Sequence, residues 1–237
     1  MKADLHIHTS FSFDGVSSPK EVVEAAIEKG IHCVCITDHN EIKGAIEAMK
    51  FGFDKDILVI PGIEILTTFG DVLGINVKKI IPDGMSIEET IREIKKQKGI
   101  AVIPHLFDPI FLNFRGSSFF KINHKPDAIE VFNASSFLNF PNKKSFGFAK
   151  KNNFPFTAGS DAHRKEFVGR GYIEIDSKIH SEKDLIEAIM EKRIKFGGNM
   201  LSFFEAFRNS ANISFSRIIK YVYLQWKDKL KITKKQQ

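Results

Sequence analysis

Two histidines stand two residues apart at the end of the first apolar stretch of the sequence, which opens MKADLHIHTSFSFDG. In an extended strand, His6 and His8 project from the same face, because successive side chains alternate between the two faces. A hydroxyl-rich turn and then Asp14 follow. Imidazoles and carboxylates are typical ligands of transition-metal ions. We therefore ask whether later segments supply the partners that a metal site at this strand end would need.

Residues of the same types follow most of the later apolar stretches. They are Asp38 and His39 after CVCIT, Glu64 after LVIPGI, His105 after AVIP, Asn133 after IEVF, and Asp161 and His163 after FTAGS. Imidazoles and carboxylates gathered in one place need counter-charges or a metal to be tolerated. Their number suits two or three divalent ions, and mixed nitrogen and oxygen ligands favour Zn, Mn or Fe over Mg or Ca.

The sequence offers little support for other catalytic classes. It contains no G-x-S-x-G motif and no glycine-rich phosphate loop. His32, His124 and His180 do not follow apolar stretches in this way, and we interpret them as ordinary surface or core histidines. Asn133 is more typical of a loop cap than of a metal ligand.

Strand-like and helix-like segments alternate from residue 2 to about residue 198, which predicts βα units and a mainly parallel sheet. One helix is predicted with Ser18 as its cap, Pro19 in its first turn and Gly30 at its end, and SIEETIREIKKQKG is a second well-capped helix. Six or seven such units in about 200 residues suit a closed (β/α) barrel. In such a barrel the carboxyl ends of the strands meet at one rim, where active sites are built.

Composition limits the remaining choices. The chain of 237 residues is 43% hydrophobic and 27% charged, as is usual for a globular protein. Its net charge of +6 permits an anionic partner such as a nucleotide, a nucleic acid or an acidic lipid. Cys33 and Cys35 lie in one apolar run and favour reduced thiols over a disulfide. With no leader and no membrane-spanning stretch, we expect a cytoplasmic protein without a transmembrane segment.

Two segments depart from the barrel pattern. The Phe- and Asn-rich insertion at 106–125 is too long for an ordinary connection, and we predict a lid or small subdomain there. Alternatively, its Phe residues could stack a base, with Arg115 and Lys121 near the phosphate. Residues 199–237 are predicted to form a basic, amphipathic helical extension. This extension either packs on the barrel of residues 1–198 or contacts RNA or an anionic surface.

The order and spacing of these motifs resemble the PHP (polymerase and histidinol phosphatase) family of metal-dependent phosphoesterases. The segments that carry the resemblance are HIHTSFSFDG, ITDHN, PGIEI, IPHLFDP, EVFNA and GSDAH. The resemblance implies an α/β fold, a distorted (β/α)7 TIM-like barrel, with up to three metals. It also implies three ligand sets, namely His6, His8, Glu64 and Asp161 for one ion, Glu64 and His105 for a second, and Asp14, His39 and His163 for a third.

One position departs from the family pattern. Many relatives carry a histidine ligand in the segment after the glutamate, whereas this chain has Asp71 there. An aspartate can bind Mn or Fe, so the second site either persists with an altered metal preference or is weakened. Asp38 is a candidate for orienting a ligand or handling a proton. Arg164 and Arg115 are candidates for gripping a phosphate oxygen.

The resemblance is closest to the small stand-alone members, which include nucleotide phosphatases and 5′→3′ exoribonucleases. We therefore expect a metal-dependent phosphoesterase that acts on a nucleotide or on the 5′ end of a short oligonucleotide, through a metal-activated hydroxide. Two alternatives remain. One is a phosphatase of the histidinol-phosphate type, which is indifferent to a base. The other is a module that keeps metals for folding or partner binding without turnover, which only Asp71 favours.

Overall fold

The computed structural model of the chain describes residues 1–108 and 124–210. The insertion residues Arg115 and Lys121, and the extension from residue 211 onward, lie outside the described residues. Nine strands occur in the described ranges: β1 (Lys2–Ile7), β2 (Cys33–Ile36), β3 (Leu58–Thr67), β4 (Gly70–Ile75), β5 (Ile100–Ile103), β6 (Ala128–Asn133), β7 (Phe156–Gly159), β8 (Gly171–Ile175) and β9 (Ile194–Gly198). The helices of the same ranges are α1 (Pro19–Glu28), α2 (Lys43–Gly52), α3 (Ile87–Lys96), α4 (Asn139–Lys151), α5 (Glu182–Met190) and α6 (Phe203–Ser210), with a short 3-10 helix at Lys165–Phe167.

The strands form one sheet in the order β7-β6-β5-β4-β3-β2-β1-β8-β9. β1, β2 and β3 run parallel to one another, as do β5, β6 and β7. β4 runs antiparallel between the two groups, because only Thr68 and Phe69 separate it from β3 and such a short turn must form a hairpin. β8 and β9 continue the sheet beyond β1 in antiparallel pairing. The predicted α/β class is confirmed. The sheet is less parallel than predicted, because four of its eight strand pairings in the described ranges are antiparallel.

The sheet closes into a barrel where β1 meets the chain just after β7. Ile7 forms a parallel bridge with Ala162. The Asp161 N–H donates to the His6 carbonyl oxygen at 2.8 Å, and the His8 N–H donates to the Ala162 carbonyl oxygen at 2.9 Å. The seven strands β1 to β7 therefore make the predicted distorted (β/α)7 barrel. The closure also sets His6 and His8 beside Asp161.

The two strands approach closely at this seam because one side lacks a side chain. A Cβ atom at Gly159 would lie 2.4 Å from the His6 Cβ and 2.8 Å from the His6 backbone nitrogen. The buried Asp4 carboxylate strengthens the seam, since it accepts hydrogen bonds from the Ser160 N–H at 2.9 Å and the Gly169 N–H at 2.8 Å. A glycine on one strand and a buried carboxylate on the other thus hold the barrel shut.

The helices begin where the sequence predicts. Ser18 caps α1 and Ser86 caps α3, and in both cases the glutamate three residues on completes a capping box. Gly30 follows α1 with a φ of +67°, a conformation that glycine adopts without strain. These helices cover the outside of the barrel and leave its carboxyl rim open for the loops that follow each strand.

Cys33 and Cys35 are buried on β2, and neither forms a disulfide. Burial raises the pKa of both thiols, so they remain protonated members of the apolar core.

In the described ranges, no helix is both long enough and apolar enough to cross a membrane. The extension after β9 begins with α6, which is helical as predicted.

Candidate metal centre

The ligand-type side chains predicted from the sequence meet at one rim of the barrel, and all of them are buried. Nine side chains form three adjoining groups, which are His6, His8 and Asp161; Glu64, Asp71 and His105; and His8, Asp14, His39 and His163. Within each group, one nitrogen or oxygen atom of every residue lies within 4.8 Å of the others. The barrel therefore brings together residues that are far apart in the sequence, as the rim of a (β/α) barrel does.

Glu64 lies between four of the imidazoles. Its Oε2 atom is 3.1 Å from His39 Nδ1 and 3.3 Å from His8 Nε2. The same oxygen is 3.5 Å from His6 Nε2, while Oε1 is 3.4 Å from His105 Nε2. One carboxylate thus contacts members of all three groups, as a bridging ligand between neighbouring ions would.

Two aspartates hold the other side of the rim. Asp161 Oδ1 lies 3.2 Å from His8 Nε2. Asp14 Oδ2 lies 3.2 Å from both His39 Nε2 and His163 Nε2. Each aspartate therefore presents one oxygen to the same space as its neighbouring imidazole nitrogens.

Asp71 reaches the rim because β4 runs in the opposite direction to its neighbours. In a parallel strand the rim residue is the last one, but in β4 it is close to the first, and Asp71 pairs with Leu66 of β3. The aspartate is buried beside Glu64 and His105. Asp71 therefore lies with Glu64 and His105 in one of the three groups at the rim.

Several of the converging atoms have no hydrogen-bond partner in the described ranges. They are the Nε2 atoms of His6, His8 and His163 and the Oδ2 atom of Asp14. A buried polar atom without a partner costs about 1–3 kcal/mol, so such atoms are rare in folded proteins. The ring nitrogens and carboxylate oxygens lie 3.2 to 3.5 Å apart without hydrogen-bond geometry. This is the spacing expected of atoms that bind the same divalent cation.

The pKa shifts describe the same arrangement. Burial by itself lowers the pKa of His8, but the Asp161 and Glu64 carboxylates raise it to about 10. Burial raises the pKa of Asp14, yet His39 and His163 hold it well below its ordinary value. Without a cation, a proton on His8 balances the charge of the neighbouring carboxylates. A metal ion would replace that proton, because only a neutral imidazole can bind it.

The hydroxyl-rich turn after β1 positions Asp14. The Ser12 hydroxyl donates to Asp14 Oδ1 at 2.7 Å and accepts the His39 N–H at 3.2 Å. The Thr9 hydroxyl donates to Asp38 Oδ2 at 2.7 Å, and the Thr9 N–H donates to the same carboxylate. Asp38, predicted as an orienting or proton-handling group, therefore lies next to the ligand groups and anchors the turn that carries Asp14.

Arg164, predicted to grip phosphate, hydrogen-bonds to the helix α6 in this structure. Its Nε–H donates to the Arg208 carbonyl oxygen at 3.0 Å, on α6. His32, His124 and His180 lie outside the three groups.

The sequence reasoning missed Glu130, a buried glutamate inside β6. His6 Nδ1 donates to Glu130 Oε1 at 2.9 Å, and the His105 N–H donates to Oε2 at 2.9 Å. The Asn133 amide links Glu130 Oε2 to Asp161 Oδ2 at 3.1 Å each. Glu130 thus fixes the ring of His6 with its Nε2 toward the rim. Its only signal in the sequence is an acidic residue inside the apolar run AIEVF.

Glu130→Gln is expected to weaken metal binding about 10- to 100-fold, because partners of ligating imidazoles contribute on that scale. The neutral amide of the glutamine accepts a weaker hydrogen bond from His6 Nδ1 than the Glu130 carboxylate does. Competition with a chromogenic chelator measures the effect. Glu28→Gln, at the exposed end of α1, is the matched control and should bind metal like the wild type. Equal affinities for the two variants would contradict the role given to Glu130.

One aromatic residue borders the rim on the solvent side. The ring of Phe13 stacks on the His39 ring, with 5.0 Å between centroids and 23° between planes. About half of its surface remains exposed, at 52%. The sequence suggested that Phe residues of the 106–125 insertion could stack a base. In the described ranges, the aromatic ring beside the candidate ligands is instead that of Phe13, in the loop after β1.

Two known family models match most of the residues of the barrel. A family model described as "PHP domain" matches residues 4–131, and a second, described as "PHP-associated", matches residues 139–194. Together they include the described strands β2 to β5, β7 and β8 completely, β1 from Asp4 onward, and β6 as far as Val131.

Similar proteins extend this match. The uncharacterized protein MJ1587 of Methanocaldococcus jannaschii is 42% identical over 144 residues, which cover 56% of this chain and 82% of that protein. A 5'-3' exoribonuclease of Haemophilus influenzae is 29% identical over 119 residues, which cover 45% of this chain and 43% of that enzyme. The solved structure of a two-domain protein of Bacteroides vulgatus, containing a predicted PHP-like metal-dependent phosphoesterase, superposes with a TM-score of 0.71. It covers 89% of this chain and 69% of that chain at 19% identity, so it shows a shared fold.

Proposed function

Because the chain belongs to the PHP domain family of metal-dependent phosphoesterases, and is therefore a hydrolase of phosphoester bonds, we propose that it acts on nucleotides or on the 5′ end of short oligonucleotides. The observation that carries the proposal is the convergence of nine buried ligand side chains on one barrel rim. Such a rim can hold several cations, which an anionic phosphate ester requires.

We assign the cations to two or three sites of mixed nitrogen and oxygen ligands, which suit Zn, Mn or Fe. The assigned ligand sets are His6, His8, Asp161 and Glu64 for the first ion, Glu64, Asp71 and His105 for the second, and Asp14, His39 and His163 for the third. The burial of Asp71 beside Glu64 and His105 supports a second site that persists with an altered metal preference.

The chain's own residues prepare this centre before substrate arrives. When bound, divalent ions lower the pKa of a coordinated water toward neutrality and offset the charge of phosphoryl oxygens. Glu64 holds the imidazoles around one carboxylate, and Glu130 keeps the His6 Nδ1 proton away from the rim. Thr9 and Asp38 fix the turn that presents Asp14. Positions set in advance spare the reaction the entropy of assembling them.

Two observations support a substrate that carries a base. The half-exposed ring of Phe13 lies beside His39 and is available to stack a base at the rim. One similar protein is a 5'-3' exoribonuclease. The net charge of +6 also favours an anionic substrate.

A substrate panel tests this proposal. The panel contains nucleoside monophosphates, nucleoside 3′,5′-bisphosphates, 5′-phosphorylated RNA, histidinol phosphate and glycerol phosphate. We expect kcat/KM for the best nucleotide or RNA substrate to exceed that for glycerol phosphate by roughly tenfold to a hundredfold, which is the value of one base stacked on an aromatic ring. The measurement uses protein purified without chelator.

Phe13→Ala separates base recognition from the chemistry. This variant should lose most of the preference for nucleotides while glycerol phosphate is hydrolysed at the wild-type rate. Phe53→Ala is the control, because Phe53 is an even more exposed phenylalanine just after α2. Efficient hydrolysis of histidinol phosphate with no preference for a base would point to the small-metabolite phosphatase. Bound metal without turnover of any ester would point to the non-catalytic module.

A further inference from the structure

The last described helix reaches the ligand segment through one buried side chain. Asn209 of α6 is 2% exposed. Its Oδ1 accepts the His163 N–H at 2.8 Å, and its Nδ2 donates to the Asp161 carbonyl oxygen at 2.8 Å and to the Ser135 hydroxyl at 2.7 Å. The amide therefore contacts the backbone of two candidate ligands that precede it by 46 and 48 positions.

The backbone that Asn209 contacts needs this support. Asp161 has a φ of +53°, a left-handed conformation that non-glycine residues adopt at a cost of order 1–3 kcal/mol. The single hydrogen of the Ser135 hydroxyl is shared between the carbonyl oxygens of Ser160 and Asp161, which lie 2.9 and 3.0 Å from its oxygen. Ser135 and Asn209 together hold the turn in which Asp161 and His163 point to the rim.

Other contacts attach α6 to the barrel without touching a ligand. Arg170 pairs with Glu205 at 3.2 Å, and Arg208 pairs with Glu166 at 2.9 Å. The side chains of these pairs are at least one-third exposed, so each contributes little to stability. These two ion pairs only attach the helix to the barrel. Asn209, by contrast, contacts the backbone of the candidate ligands Asp161 and His163.

We propose that Asn209 is a positioning residue of the metal centre, which holds the Asp161–His163 backbone so that both side chains face their ions. The metal-binding unit consequently extends through α6, past the boundary at residue 198 that the sequence suggested. The inference rests on the proposed metal centre but is independent of the substrate. It concerns the two ions assigned to Asp161 and to His163, and not the ion assigned to Glu64, Asp71 and His105.

The test compares Asn209→Ala with Arg208→Gln in the full chain. Each protein is stripped with chelator and titrated with Zn or Mn against a competing dye. Asn209→Ala should bind the ions assigned to Asp161 and to His163 about 10- to 100-fold more weakly, while the ion assigned to Glu64, Asp71 and His105 keeps its wild-type affinity. Arg208→Gln, which breaks only the exposed pair with Glu166, should match the wild type. Hydrogen exchange should show faster exchange of the His163 amide in Asn209→Ala alone.

Three results would overturn the proposal. The first is wild-type affinity for every ion in folded Asn209→Ala with an unchanged His163 amide. The second is an equal, uniform weakening of all ions together with a lower Tm, because that would be a general structural effect. The third is a stripped wild-type protein that takes up no Zn or Mn, which would refute the metal centre itself and with it the proposed function.

Discussion

His8→Ala is expected to lower kcat for the best phosphoester about 1,000-fold and to reduce the bound metal. The Nε2 atom of His8 lies 3.2 Å from Asp161 and 3.3 Å from Glu64, and His8 belongs to two of the three ligand groups. Losing several kcal/mol of transition-state charge stabilisation corresponds to a rate loss of that order. Steady-state kinetics and elemental analysis of the same preparation measure both effects.

His180→Ala is the control for this substitution, because His180 is exposed and outside the three groups. It should retain the wild-type kcat and metal content. If His8→Ala kept more than a tenth of the activity with all its metal, His8 would not be a ligand of the reactive centre.

Gly159→Ala is expected to destabilise the fold by about 1–3 kcal/mol, the usual cost of overpacking. The added methyl group would lie 2.4 Å from the His6 Cβ, so β1 and β7 would have to move apart at the barrel seam. Because His6 is a candidate ligand, metal affinity should fall as well. Urea denaturation of the metal-free protein measures the change in the free energy of unfolding.

Gly147→Ala is the matched control. An added Cβ at Gly147 would meet no atom within 4 Å, and this residue is exposed within α4. Replacing a helical glycine with alanine should raise the free energy of unfolding by about 0.5–1 kcal/mol. Opposite signs for the two substitutions would support the close seam, whereas two stabilised variants would contradict it.

The sequence predicts the barrel and most of the candidate ligands because both leave local signals. An apolar run followed at once by His6 and His8, or by Asp38 and His39, is visible without any knowledge of the fold. Strand ends gather at one rim in every such barrel, so their convergence could also be predicted. The helix starts at Ser18 and Ser86 are equally local.

The features that the sequence did not reveal depend on contacts between distant segments. Glu130 lies within an apolar strand, and its role comes from His6, 124 positions away. Asn209 acts on a turn 46 positions before it, and no motif marks it. Asp71 could be placed in a strand, but only the reversed direction of β4 explains why it reaches the rim.

The seam between β1 and β7 also affects the order of folding. It joins groups as far apart as Asp4 and Ser160, which are 156 positions apart, and such long loops are slow to close. During synthesis, the group of Glu64, Asp71 and His105 is complete in the first 105 residues, whereas the other two groups wait for Asp161 or His163. The residues of this group therefore all leave the ribosome before either of the other two groups is complete. The full cluster can assemble only after the last barrel strand leaves the ribosome.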